Sequence, residues 1–320
     1  VPVEQGIVIT AVFVVGYTVL AGMISVVYTD VVNGIIMIVG LFTALPFLLK
    51  TAGGWGAVVE ALPGTHFQVF GEMSAVEALG YSFATMLLLL GEAGMYQRFF
   101  SARDETAARR SVIGLVASTV VIETLIVALA VIGSALFPGI DPEMVILSVV
   151  AKGLPAAVGC LCLAAIVAVI VSTADSFLLV PATSAMRDIY QRFINPEASP
   201  RRFLVYSRLA VVLLGMIAYL QVQFFTRVLE MAVYAYTMYG VGVTPALLAA
   251  FFWKRATPAG GVSSIAAGMA VTVLWEVLKK PGDIPTVYPA LGASLFCLAA
   301  VSLLTVRPAP AKLEIFFGRE

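Results

Sequence analysis

Residues 155–180 read PAAVGCLCLAAIVAVIVSTADSFLLV, and Asp175 is the one charged side chain in them. A helix needs about 20 mostly apolar residues to cross about 30 Å of hydrocarbon. In lipid the backbone must bond within its own segment, which leaves helices or closed barrels. The alternation of a half-buried strand is absent, so the stretch reads as a membrane-crossing helix. Eight further apolar blocks flank it, at 6–28, 31–50, 75–97, 111–136, 203–222, 228–253, 260–278 and 287–306. The expectation is an all-α integral membrane protein with nine spans and no soluble domain. Segment 140–153 reads as a short helix on the outer surface, and 181–193 as an inner continuation of the 155–180 helix.

Composition agrees. Of 320 residues 61% are hydrophobic and 12% charged, against about 25% charged in an ordinary soluble domain. The net charge is zero, which gives no reason to expect a nucleic-acid partner. Fourteen of the lysines and arginines fall in one set of loops (98–110, 187–208, 254–255 and 307–319) and five, including Lys50 and Lys152, in the other. The two sets alternate along the nine spans. The positive-inside rule then puts the N-terminus outside and the C-terminus in the cytoplasm. No signal peptide is in view, and a start on Val1 in place of methionine leads to the expectation of a segment upstream.

Cys160, Cys162 and Cys297 lie in apolar blocks without metal-ligand spacing, and His66 is the only histidine. The cysteines read as packing residues, and the single histidine excludes a multi-histidine metal site. No nucleophile–base pair or phosphate loop is present, so the chain is not read as an enzyme.

Polar groups inside the apolar blocks carry the functional reading. Cys160, Ala164, Ala168, Ser172 and Ser176 recur every four residues, a stripe of small side chains that lets another helix approach closely. At its inner end stand Ser172-Thr173-Ala174-Asp175-Ser176. Hydroxyl and carboxylate oxygens there suit a hard cation such as sodium. Alternatively the hydroxyls bond the preceding turn of their own helix, and Asp175 pairs with an arginine. Tyr28-Thr29-Asp30 reads as a turn between the first two spans, where Asp30 caps the next helix or binds a cation. Glu123, one turn after Thr119, must face protein or water. Gly91-Glu92-Ala93-Gly94 and Gly240-Val241-Gly242…Pro245 read as two helix breaks, the usual pointer to a transporter site. Pro245 leaves the carbonyl of Val241 without its helical partner. Tyr234, Tyr236, Thr237 and Tyr239 precede the second break.

Several of these stretches, in order, resemble the sodium/solute symporter family, which includes proline, pantothenate and sugar symporters. The strongest is Leu154-Pro155 through Ser172-Thr173-Ala174-Asp175-Ser176 to Arg187-Asp188-Ile189-Tyr190, continuing through Ser207-Arg208-Leu209. Tyr28-Thr29-Asp30, with Asn33 where the family has Gln, is a second. Gln97-Arg98-Phe99 with Ser101-Ala102-Arg103 is a third. Pro245 followed by Phe252-Trp253-Lys254-Arg255-Ala256-Thr257 and Gly260 is a fourth.

The resemblance implies a leucine-transporter-type inverted-repeat fold with nine of about thirteen transmembrane helices present. Residues 1–320 would be a single transporter domain lacking about four N-terminal helices. It implies sodium (Na+) as coupling ion, with Ser172 and Thr173 as side-chain ligands, Val169 as a backbone-carbonyl ligand and Asp30 in sodium handling. Substrate contacts would come from Thr85, Leu88, Leu89, Thr119 and Thr237, to which the polar reading of the helices adds Glu123 and Tyr236. Leu88 and Leu89 replace aromatic residues of the sugar-transporter pattern, which argues against a sugar. The function implied is sodium-coupled symport of a small organic solute by alternating access, in the plasma membrane. Rival readings are a transporter-like sensory module of a histidine kinase and an uncoupled carrier or channel. The expected partners are the solute and the lipid bilayer.

Overall fold

Long apolar runs in lipid can satisfy their backbones within one segment as helices, and that is what they form, even across Pro46, Pro181 and Pro245. The structure is a computed structural model describing residues 3–20, 23–222, 227–309 and 313. Among these there are helices and no strands. In chain order the α-helices are α1 (Val3–Leu20), α2 (Met23–Thr51), α3 (Trp55–Ala61), α4 (Ala75–Gly91), α5 (Ala93–Phe100), α6 (Glu105–Leu136), α7 (Val145–Ser148), α8 (Ala156–Ser184), α9 (Pro200–Val222), α10 (Val228–Phe252), α11 (Pro258–Val277) and α12 (Val287–Leu304). Eight helical stretches are long and apolar enough to cross a membrane: α2, α4 with α5, α6, α8 with its continuation to Ile194, and α9 to α12. The chain is a multi-pass membrane protein. The first expected span, 6–28, is represented by the shorter apolar helix α1. Ala21 and Gly22 within it lie outside the described residues, as do Lys312 and Arg319 of the inner charge set.

Two expectations about local structure are corrected. Tyr28-Thr29-Asp30 is not a turn. α2 begins at Met23, so Asp30 lies inside a helix and caps nothing. Thr29 Oγ1 lies 3.0 Å from the carbonyls of both Ser25 and Val26, and so serves its own helix. Loop 51–74 contains α3 and a 3₁₀ turn at Gly64–Phe67. The break expected at Gly240–Pro245 is absent, since α10 runs unbroken through Pro245. The carbonyl of Val241 is taken by Ser294 Oγ of α12 at 3.0 Å. Ser264 of α11 lies 2.8 Å from Ser294. Ser294 has one hydroxyl hydrogen, already given to Val241, so Ser264 donates to it. The other break is real: α4 stops at Gly91, Glu92 is extended, and α5 starts at Ala93. The continuation of α8 also holds, as a π-helical stretch at Ala185–Ile194, and segment 140–153 is helical from Pro142 to Gly153.

The chain divides into two compact units, residues 1–66 with 94–224 and residues 67–93 with 225–320. In unit 1, α8 is the central helix. One core packs Leu41, Ala44 and Leu48 of α2 against Leu125, Leu129 and Ile132 of α6 and Cys162 of α8. A second packs Val171, Leu178 and Ala182 of α8 against Val14 of α1 and Val211 of α9. The close approach expected of α8 occurs with α2. A Cβ on Gly40 would lie 2.9 Å from Ala165 Cβ and 3.2 Å from the Leu161 carbonyl. That contact line runs one residue over from the predicted stripe, whose Cys160 is exposed.

In unit 2, Ala84 and Leu87 of α4 pack against Val241 of α10 and against Val287 and Ala290 of α12. The late sequence motif has a structural use here. Thr257 caps α11 by accepting from Gly260 N at 3.1 Å. Arg255 donates to the carbonyls of Leu303 and Thr305 at 3.0 and 2.8 Å, closing the end of α12. A cation at a helix C-terminus also meets the negative end of its dipole.

α6 starts at a charged cap outside the apolar stretch. Asp104 accepts from Ala107 N at 2.7 Å and from Arg103 Nε at 3.1 Å. The Ala107 amide first, and Arg103 second, hold its carboxyl below the ordinary value. A carboxyl lowered by folding stabilises above its unfolded pKa, and that contribution is lost as pH falls through the folded value. Amide exchange in the first turn of α6, corrected for intrinsic rate, should therefore speed up on acidification below about pH 4. D104N keeps a capping oxygen and should remove most of that pH dependence.

Candidate cation site

In unit 1 the structure brings Asp30 of α2 to Ser172 of α8. Ser172 Oγ donates to Asp30 Oδ1. Arg98 of α5 donates to Asp30 Oδ2 at 2.8 Å and to Ser176 Oγ at 2.7 Å. Ser176 Oγ in turn donates to the Ser172 carbonyl at 3.1 Å. The four residues form a closed ring: guanidinium, carboxylate, hydroxyl-bearing residue, hydroxyl. The Asp30 side chain is 17% exposed and that of Arg98 50%. The ring therefore has a shielded acidic side and an open basic side. It borders a cavity of about 800 Å³ whose other walls include Val27, Val31, Met95 and Leu115.

A carboxylate and hydroxyl oxygens converging between apolar helices offer the hard donors that an alkali cation prefers. In this arrangement the guanidinium supplies the positive charge. Electrostatically it occupies the role a cation would take on Asp30 and Ser176.

The expected ligand set is only partly assembled. Ser172 and Asp30 meet. Thr173 is exposed and its hydroxyl makes no hydrogen bond among the described residues. Val169 is half-buried within unbroken α8, where its carbonyl is the helical acceptor for Thr173 N–H. Asp175 points elsewhere. It is 1% exposed, Thr18 Oγ1 of α1 is bonded to its Oδ1, and its Oδ2 has no partner among the described residues. Asp175 thus pairs with a threonine rather than with an arginine.

The expected substrate residues divide between the units. On α6 of unit 1, Thr119 and Glu123 are both exposed. On α4 of unit 2, the Thr85 hydroxyl bonds the Tyr81 carbonyl at 3.0 Å, Leu88 is buried and Leu89 is 50% exposed. On α10, Tyr236 packs into the core and Thr237 is 1% exposed.

Two residues gain roles that sequence alone did not give them. In the sequence Arg98 is one of many cations between apolar blocks; its place beside Gln97 in a recognisable motif was the available signal. Tyr239 of α10 bridges the α4–α5 break. Its hydroxyl donates to the Gly91 carbonyl at 3.3 Å and accepts from Ala93 N at 3.1 Å. Thr244 Oγ1 bonds the Leu87 carbonyl at 2.5 Å one turn earlier. The end of α4 is thus closed by side chains of α10, as orphan groups at helix ends must be.

Known proteins of the same architecture carry this further. The family model for the sodium:solute symporter family matches residues 1–268. The osmoregulated proline transporter OpuE of Bacillus subtilis is 29% identical over 98% of this chain and 66% of its own length. The high-affinity proline transporter PutP of Bacillus subtilis is 27% identical over 95% of this chain and 66% of its own length. A sodium/proline symporter of Staphylococcus aureus is 28% identical over 95% of this chain and 62% of its own length. The chain therefore spans just under two thirds of these relatives. A solved Na+-coupled sialic acid symporter, in a substrate-bound outward-open state, superposes with a TM-score of 0.74 at 18% identity. That likeness covers 94% of this chain and 67% of the other. It shows the shared helical transporter fold, while the sequence match over residues 1–268 shows descent: this chain belongs to the sodium:solute symporter family.

Proposed function

We propose that this chain is part of a symporter that uses sodium entry to drive uptake of a small organic solute by alternating access. The observation that carries the reading is the convergence of Asp30, Ser172 and Ser176 between α2 and α8 in an apolar unit. Intramembrane carboxylates are costly and usually functional. Sodium would be held by the Asp30 carboxylate and the Ser172 hydroxyl, with Thr173 and the Val169 carbonyl completing the site when neighbouring helices close on them. The two units are taken as parts of one transport domain. Thr85, Leu88, Leu89, Thr119, Glu123, Tyr236 and Thr237 are its candidate solute contacts. The relatives named as proline transporters make proline the first solute to try. The membrane is the plasma membrane, with the N-terminal end of this segment outside and the C-terminal end in the cytoplasm, on the lysine and arginine asymmetry.

Coupling requires that sodium bind the two access states with different affinity. In proteoliposomes holding the full-length protein, proline uptake should follow an imposed sodium gradient and stop without it. S172A/T173A should lose most of that dependence. Uptake indifferent to sodium would overturn the coupling. Sodium-driven uptake unchanged in S172A/T173A would remove these hydroxyls from the ligand set.

A further inference from the structure

We propose that a cavity of about 360 Å³ within unit 2 binds the protonated amine of a small organic solute. The proposal deepens the symport reading and rests on it. The cavity lies where α4 begins, α11 ends and the 280–287 segment leads into α12. Its polar walls are Glu77 and Tyr81 of α4, Thr237 of α10, Glu276 of α11, and Lys280 and Asp283.

The charges do not balance. Glu276 is met on both oxygens, by Thr286 Oγ1 at 2.6 Å and by Lys280 Nζ at 3.5 Å. The side chains of Glu77 and Asp283 make no ion pair or hydrogen bond among the described residues. Two carboxylates thus face one cavity with its only ammonium already engaged. A third group points the same way. Thr237 is 1% exposed and lines the cavity, yet its hydroxyl makes no hydrogen bond among the described residues. The buried hydroxyls of Thr244 and Thr272 each bond a carbonyl, and that of Thr18 bonds Asp175. A hydroxyl kept inside protein without a partner is expensive unless something else supplies one.

The backbone around the cavity is held in an unusual form. Lys279, Lys280 and Asp283 have φ of 57°, 53° and 54°, the only positive values at non-glycine positions among the described residues. Two of the three line the cavity. Such strain collects where side chains must be presented to a ligand.

The shape selects the ligand class. The volume falls in the range of small-molecule pockets, about 300–1,000 Å³, and far exceeds a bare ion. Val233, Pro285 and Val287 supply an apolar side. No cluster of three or more metal-ligating side chains is assembled among the described residues, and the Lys280 ammonium works against a dication. A small ring or chain bearing one ammonium fits: its N–H groups meet Glu77 and Asp283, the floor hydroxyl of Thr237 adds an acceptor, and its carbon skeleton covers the valines and proline.

The test uses full-length protein in detergent and titration calorimetry with pyrrolidinium as probe, against tetrahydrofuran, a neutral ring of the same size. Pyrrolidinium should bind saturably and tetrahydrofuran should not. E77Q/D283N, both at exposed positions, should weaken pyrrolidinium by about tenfold, and T237V by a smaller factor. Unchanged affinity in E77Q/D283N, or equal binding of tetrahydrofuran, would overturn the amine site. The two readings fail separately. Uptake that ignores sodium, with pyrrolidinium binding still sensitive to E77Q/D283N, leaves the site and removes the symport. Sodium-driven uptake with pyrrolidinium binding indifferent to E77Q/D283N does the reverse.

Discussion

Replacing Asp30 with asparagine should raise the sodium concentration for half-maximal solute uptake by about ten- to a hundredfold, as losing one charged ligand is worth about 1.5–3 kcal/mol. The carboxylate is mostly shielded and is the acidic member of the ring formed with Arg98, Ser172 and Ser176. Asparagine keeps the shape and one acceptor but gives up the charge that draws a cation out of water. R98Q should act in the opposite direction and more weakly. The guanidinium is half exposed, and pairs of that kind are worth about 0–1 kcal/mol, so freeing Asp30 from it should lower the half-maximal sodium concentration by less than about fivefold. Sodium-dependence curves of uptake for wild type, D30N and R98Q give the comparison. Shifts of the same sign in both variants would mean that Arg98 supports the cation site rather than competing for it.

The largest structural effect is expected at Gly240. A Cβ there would lie 2.8 Å from the backbone nitrogen of Leu88 and 3.0 Å from the carbonyl carbon of Leu87. These are main-chain atoms of α4, so no rotamer change relieves the contact and the two helices must move apart. Overpacking of this kind costs about 1–3 kcal/mol. It would also pull Thr244 and Tyr239 from the carbonyls they cap. G240V should lower the melting temperature of the detergent-solubilised protein by several degrees, and G240A by less. G292A is the control, because a Cβ at Gly292 meets nothing within 4 Å. There the helix gains alanine's propensity, about 1 kcal/mol at most. Equal melting shifts in G240V and G292A would show that the α4–α10 approach is looser than these distances require.

What the sequence disclosed and withheld follows from the range of the forces involved. Apolar runs of membrane length announce helices because the lipid constraint is local to each segment, and eight of the nine expected spans are helices of that length among the described residues. Asp30 and Ser172 could be nominated because a polar group in an apolar block stands out wherever it lies. Their meeting is a tertiary event. Tyr28-Thr29-Asp30 carries turn-forming residues, yet α2 runs straight through it, with Thr29 bonded within the helix and Asp30 partnered by Ser172 and Arg98. Pro245 misled in the same way. Its cost is a freed carbonyl at Val241, and a serine 53 positions away answers it, which no local pattern encodes. The Gly91–Gly94 break was legible because two glycines within four residues weaken a helix locally. Tyr239 bridges its ends without closing them into a turn.

That bridge has a consequence for water. A solute entering a membrane protein must shed its hydration shell, and each lost hydrogen bond needs a replacement on the path. Ordinary transmembrane backbone offers none, since all its groups are committed to one another. At the interruption between Gly91 and Ala93, one N–H and one C=O are held on loan by a single phenol. Rotating that phenol away would release a donor and an acceptor together, side by side. An unbroken helix offers no such pair, because its amides and carbonyls are committed to one another.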